Sequence, residues 1–187
     1  MRCDWANDGI LEQKYHDEEW GKEVHDETKL FEMLVLESMQ AGLSWSTILK
    51  KRAGLRVAFD EFNYHKIATY DEIKFQRLME NPQIIRHPLK IKAVIYNAQT
   101  FMRIQEQYGS FDRYFWDFNH QEIIMNQWET LEQVPTQTSL SQQIAKKMKK
   151  DGFKFIGATS IYSFMQAIGM VNDHLTCCTF KERKEAN

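Results

Sequence analysis

Ile84-Ile85-Arg86-His87-Pro88-Leu89-Lys90-Ile91-Lys92 is a short basic turn set between two amphipathic segments. Upstream, Asp71 is placed to cap a helix with Ile73, Phe75, Leu78 and Met79 on one face, ended by Asn81-Pro82. Downstream, Ile91, Val94, Ile95, Ala98, Phe101 and Met102 recur at i, i+3, i+4 and i+7 until Gly109. A tight turn between two helices leaves backbone N–H groups of the second helix free to take an anion, and nearby basic residues favour phosphate. Any antiparallel helix pair also needs a turn, so the stretch by itself is a weak signal and reads first as a simple connection.

Working outward, helices dominate. Asp26 caps a predicted helix with Leu30, Met33, Leu34 and Ala41, ended at Gly42, and Ser44 caps a short one through Ile48 and Leu49. Phe111–Phe118 reads as a short aromatic helix. Ser141–Lys150 reads as a basic amphipathic helix stopped at Gly152, and Gly157–Ile168 as a final apolar one. The only linker-like stretch is Pro135–Ser141. Period-2 alternation never persists, so the expected fold is all-α. The 187 residues form one expected unit, 1–187, long enough to need no disulfides. Three cysteines and no apolar leader fit a reduced, cytosolic compartment. No run reaches the roughly 18 apolar residues of a membrane span. A net charge of −2 argues against a protein that coats nucleic acid but leaves room for a local phosphate grip.

All three cysteines lie at the chain ends, each end with histidine: Cys3 and His16 at one, His174, Cys177 and Cys178 at the other. Cys₂His₂ is a common zinc set. His174 and Cys178 would share a face if that stretch is helical. The bland alternative is surface histidines and buried cysteines, and the spacing matches no standard finger.

Three features break the helical pattern. Glu37 lies at i+3 from Leu34 and i+7 from Leu30, so it projects from an apolar face. An unpaired carboxylate there is costly unless it is paired, protonated or placed to meet a ligand. It is followed by Ala41-Gly42-Leu43-Ser44-Trp45, a turn with an exposed leucine and then a tryptophan. Tyr15-His16-Asp17-Glu18-Glu19-Trp20-Gly21 puts aromatics at both ends of an acidic run, as though one side were held against something. Lys146, Lys147, Lys149, Lys150 and Lys154 extend a basic surface or simply form a solvated face.

These residues resemble the 3-methyladenine DNA glycosylase I family of bacteria over nearly the whole chain. The likeness is carried by Cys3-Asp4-Trp5, Tyr15–Gly21, Phe31-Glu32-Met33, Leu36-Glu37, Gln40–Trp45 and Ile84–His87. It continues in Gly152-Phe153-Lys154-Phe155-Ile156-Gly157, Tyr162–Gln166 and Val171-Asn172-Asp173-His174. The resemblance implies a helix-hairpin-helix DNA glycosylase fold, with the hairpin near 81–92 and one structural zinc ion joining segments 1–25 and 170–187. The implied ligands are Cys3, His16, His174 and Cys178, with Cys177 the rival for the last place. Four protein ligands leave no open coordination position for water.

The implied substrate is N3-methyladenine in double-stranded DNA, released as free 3-methyladenine by hydrolysis of its N-glycosidic bond. Glu37 is then the base-recognising carboxylate, and Tyr15 the hydroxyl at the base edge. Trp45 is the stacking partner, Trp5 and Trp20 are further walls, and Ser163 helps line the floor. Gly42 and Leu43 plug the gap left by the flipped nucleotide, while Arg86, His87 and Lys90 hold phosphates. The 90–107 helix carries no aspartate after the hairpin, and no lysine stands as a Schiff-base nucleophile, so no strand cleavage is expected. Where the family usually has an aromatic residue four places before its zinc histidine, this chain has Glu12, so one wall of the pocket is expected either to be missing or to be supplied by Ile10 or Leu11. The rival readings are a non-catalytic DNA-binding module, a zinc hydrolase and a glycosylase of altered alkyl-base range. A monomer is the default expectation.

Overall fold

A computed structural model describes residues 1–181; the rest of the expected 170–187 segment lies outside the described residues. The helical expectation holds. In chain order the elements are α1 (Ile10–Glu18), α2 (Glu27–Gln40), α3 (Trp45–Ala58), α4 (Tyr64–Ile67), α5 (Glu72–Glu80) and α6 (Pro88–Tyr108). Then follow α7 (Phe111–Trp116), β1 (Ile124–Met125), α8 (Ser139–Asp151), α9 (Ala158–Ala167) and β2 (Val171–Asn172). The two-residue strands, which sequence periodicity is too coarse to reveal, pair in parallel as Ile124 with Val171 and Met125 with Asn172.

The caps are where their residue types put them. Asp26, Ser44 and Asp71 accept from Lys29 N–H, Thr47 N–H and Lys74 N–H at 2.8, 3.2 and 2.8 Å, each satisfying a donor the first turn leaves open. His87 caps α6 through its ring nitrogen, with Pro88 in the first turn.

α2 is the centre of the molecule. Every residue from Leu30 to Met39 is buried, because α3, α6, α7 and α9 all pack on it. A helix enclosed in this way is apolar on nearly all sides. Around it runs a phenylalanine core: Phe31 meets Phe101 at 5.2 Å between ring centres, Phe101 stacks on Phe111 at 4.3 Å, and Phe115 meets Phe164 at 4.8 Å.

α3 runs well past the short helix expected after Ser44. Its second half is polar because it serves an ion-pair network. Arg52 donates to both oxygens of Glu19 at 2.7 Å and to Glu32 at 2.9 Å, and Lys29 reaches the same two carboxylates at 2.7 and 3.0 Å. Gly54 lies where a Cβ would stand 2.5 Å from the Gln83 carbonyl. Its smallness lets the loop before the hairpin close on α3.

The chain ends are laid together. Gly21 N–H donates to the Gln166 carbonyl at 3.1 Å, Val24 N–H to Ile168 at 3.0 Å, and Thr179 N–H to Met1 at 2.9 Å. No helix among the described residues is long and apolar enough to cross a membrane.

Candidate active site

A cavity of about 450 Å³ opens between the N-terminal segment, the end of α2, the start of α3 and one face of α9. It is lined by Trp5, Tyr15, Trp20, Glu37, Trp45 and Ser163, six of the residues singled out in the sequence. The aromatic rings brace one another. Tyr15 and Trp45 stand 5.0 Å apart and Trp5 and Trp20 also 5.0 Å, with Trp5 at 6.3 Å from Tyr15.

Two buried carboxylates face this cavity, and their surroundings differ. Asp173 is saturated: it accepts from Tyr162 Oη at 2.6 Å and from Asn126, Trp128 Nε1 and Gln166 at 2.7 Å each. Glu37 Oε2 is buried with no hydrogen-bond partner, and so is the indole N–H of Trp45. A native protein rarely leaves such groups unpaired without a function for them. Burial pushes the Glu37 carboxyl up to about 8, and burial together with the neighbouring Glu37 raises the Tyr15 phenol well above its ordinary value. Glu37 and Trp45 thus offer an acceptor and a donor to a ligand; Asp173 offers structure.

Next to the aromatic wall, Cys3, His16, His174 and Cys178 come together, all buried, with their donor atoms within 4.8 Å of one another. Cys3 Sγ lies 3.7 Å from His174 Nδ1, and Cys178 Sγ lies 3.4 Å from the same nitrogen and 3.5 Å from His16 Nε2. A tetrahedral ion with sulfur at about 2.3 Å and nitrogen at about 2.0 Å spaces its S and N ligands about 3.5 Å apart, so the donor set fits a metal. The outer ring nitrogens are engaged: His16 Nδ1 on Asp17 at 2.8 Å and His174 Nε2 on the Trp20 carbonyl at 3.2 Å. Such partners leave the inner nitrogens as acceptors for a cation. Cys177 is exposed and outside the group. Residues 174–178 form a turn rather than a helix, and Cys178 N–H donates to the Leu175 carbonyl at 2.8 Å.

Other expectations are revised. Lys90 does not present its ammonium for a phosphate. The side chain is buried, and Nζ donates to the carbonyls of Met39 at 2.8 Å and Ala41 at 2.6 Å. Those carbonyls end α2 and lack helical partners, so a cation is well placed there. Arg86 and His87 remain exposed. Ile10 and Leu11 do not replace the missing aromatic wall: they are 84% and 43% exposed and do not line the cavity. Glu12 turns to Ser46, whose hydroxyl holds its carboxylate below the ordinary range. Leu131, Val134, Pro135 and Thr136 form a further wall of the cavity. Gly42, at φ +77°, ends α2 and sets out Leu43, which is 38% exposed.

With this geometry in view, comparison with known proteins is decisive. The methyladenine glycosylase family model matches residues 5–182. The chain belongs to the methyladenine glycosylase family. It is 44% identical over 184 residues to DNA-3-methyladenine glycosylase 1 of Escherichia coli, covering 98% of each chain. A crystal structure of 3-methyladenine DNA glycosylase I superposes with a TM-score of 0.92 at 47% identity, over 96% of this chain and 98% of that one. The Staphylococcus aureus 3-methyladenine DNA glycosylase I, in a structure concerned with 3-methyladenine recognition, gives a TM-score of 0.94 at 34% identity over 98% of both.

The cavity is also lined by residues to which sequence reading assigned no role: Gln40, Thr159, Tyr162, Gln166 and Asp173, besides the 131–136 wall. A signal existed for part of them. Thr159, Tyr162, Ser163 and Gln166 follow i, i+3, i+4 and i+7, a polar stripe on a helix that buries Ile161, Phe164 and Met165. No local pattern marks Leu131–Thr136, which the Asp173 hydrogen bonds to Asn126 and Trp128 help to anchor.

Proposed function

We propose that this protein excises N3-methyladenine from double-stranded DNA as the free base, without cutting the strand. The observation that carries the reading is the unpartnered Glu37 carboxylate, buried within an aromatic cavity. Alkylation at N3 leaves the attached base with a positive charge. A cation is favoured over the faces of Trp and Tyr and beside a carboxylate. Burial alone holds Glu37 protonated near neutrality; a cation beside it reverses this, so capture of the charged base and ionisation of Glu37 are coupled.

The chemistry then needs little acid–base help. When the N9–C1′ bond breaks, its electron pair returns to the base and neutralises it, so the leaving group needs no proton. Water adds to C1′ and its proton passes to solvent. The protein's work is selection and positioning. The target must leave the stack, and a damaged base costs less to extrude. Tyr15 contacts the base edge, Trp45 with Trp5 and Trp20 encloses its faces, and Ser163 lies at the floor. Leu43, offered by Gly42, fills the gap in the duplex. Arg86 and His87 take phosphates, with the Leu89 N–H, the one first-turn donor of α6 that Pro88 and the His87 cap leave open.

Cys3, His16, His174 and Cys178 are proposed to hold one structural zinc, which two thiolates and two imidazoles suit. Its contribution when bound is to clasp the chain ends, since His16 follows Tyr15 and His174 follows Asp173. A monomer is the default assembly, and a DNA substrate together with cysteines that form no disulfide among the described residues supports the bacterial cytoplasm.

Glu12, turned away from the cavity, favours a second reading in which the range of alkylated bases differs from that of relatives. Product analysis on DNA carrying a panel of alkylated bases tests both. Release of 3-methyladenine above all others supports the first. Preferential release of another base supports the second, and no release from folded protein overturns both.

A further inference from the structure

The turn between α8 and α9 carries an aromatic side chain in a backbone conformation that bulky residues avoid. Phe155 sits at φ +57°, where its Cβ crowds the backbone. Its neighbours show how this is held. Phe153 and Ile156 are buried, and buried Asn97 of α6 clamps Lys154 between them. Asn97 Nδ2 donates to the Lys154 carbonyl at 3.0 Å, and Asn97 Oδ1 accepts from Lys154 N–H at 2.8 Å. The backbone is pinned on both sides, yet Phe155 is 37% exposed and Lys154 is exposed beside it. Ring and cation are thus held outward at a cost in strain, the mark of a conformation kept for a task.

What stands next to the ring narrows the task. Phe155 lies edge-on to His87, 6.0 Å between ring centres, and His87 is the cap of α6 in the hairpin. Three residues on, Lys90 ties the same helical turn to Met39 and Ala41, directly before Gly42-Leu43. Leu43, Arg86–His87 and Phe155 are all exposed and are linked to one another through these contacts. α9, starting three residues after Phe155, brings Thr159 and Ser163 to the cavity.

The geometry points to Phe155 and Lys154 as a DNA contact separate from the base cavity. The ring packs on a sugar or base of the strand gripped at the hairpin, and the ammonium meets a neighbouring phosphate. This rests on the DNA glycosylase reading above. An exposed aromatic next to an exposed cation is the pairing that suits a nucleotide, ring to flat face and charge to phosphate.

The test uses Phe155→Gly, Phe155→Leu and Lys154→Ala in the full chain. Duplex affinity is measured over a salt series, with thermal unfolding and free-base release alongside. Glycine relieves the left-handed strain and leucine does not, so Phe155→Gly should melt no lower than Phe155→Leu. Both should bind duplex about tenfold more weakly than wild type, within the range one aromatic contact supplies, with the salt dependence unchanged. Lys154→Ala should lower the salt slope by about one counterion. Unchanged affinity in Phe155→Gly overturns the proposal. So does affinity lost only in step with melting temperature, which marks a packing residue. If wild-type protein releases no alkylated base while Phe155→Gly still loses DNA affinity, the glycosylase reading fails and the contact stands.

Discussion

Glu37→Gln keeps the outline of the side chain and removes its ionisation, which makes it the sharpest probe of the cavity. Burial raises this carboxyl from 4.5 to about 8. In the unfolded chain the same group ionises near its ordinary value, so between the two values unfolding releases a proton. The stability linked to Glu37 is thus fully present below about pH 4.5 and is lost as pH rises toward 8. The slope is about 1.4 kcal/mol per pH unit. From pH 5 to pH 7 the wild type should lose about 2.7 kcal/mol through this one group. The amide keeps a buried unpaired polar group, on the order of 1–3 kcal/mol, but that cost does not vary with pH. Urea unfolding followed by tryptophan fluorescence at pH 5, 6 and 7 gives the difference between the two proteins, in which other titrating groups cancel. The variant should gain on the wild type by about 2.7 kcal/mol across this range. A difference that stays flat with pH would show that Glu37 titrates as an ordinary or ion-paired carboxylate, and the account of the cavity would fail.

Arg52→Ala strips one of the two partners that Glu19 and Glu32 share and leaves Lys29 in place, so it should cost about 1.5–3 kcal/mol in the same assay, the scale of hydrogen bonds to charged groups. Although burial opposes it, Arg52 and Lys29 hold Glu19 down at about 2; this stability is present above pH 4.5 and lost as pH falls toward 2, and Arg52→Ala should flatten that acid limb. Cys178→Ser should abolish bound zinc by metal analysis and lower the melting temperature, whereas Cys177→Ser should leave both unchanged; retained zinc in Cys178→Ser would break the ligand assignment. Asp173→Ala leaves four donors facing a gap, so the 131–136 wall should loosen and KM for lesion DNA rise more than kcat falls. An unchanged KM would show that the wall does not depend on Asp173.

Much of the fold was legible because the caps and apolar stripes are local. Asp26, Ser44, Asp71 and the α6 stripe place their helices without tertiary help. α1 escaped because Glu12, Tyr15 and His16, the residues it buries, form no apolar stripe. The length of α3 escaped because Arg52 is explained only by Glu19 and Glu32, distant in sequence. Glu37 was legible as a misfit on an apolar helix, and Cys3, His16 and His174 as a donor set whose fourth member, Cys178 rather than Cys177, only the structure brings in. The burial of Lys90 was not legible, since its partners are carbonyls more than 45 residues away. Nor was the 131–136 wall, whose place is set by tertiary bonds.

The central claim is that Glu37 serves the cationic base and not DNA binding at large. Its most direct test compares wild type and Glu37→Gln in two assays. One is kcat/KM for release of free 3-methyladenine from methylated duplex DNA; the other is affinity for the undamaged duplex. The account predicts efficient release by the wild type with the strand intact, and a loss in Glu37→Gln of about a hundredfold or more, the scale of a charged partner lost in a buried site. Undamaged-duplex affinity should stay within about twofold. Equal losses in both assays from folded, metal-loaded protein, or full release by the variant, would contradict it.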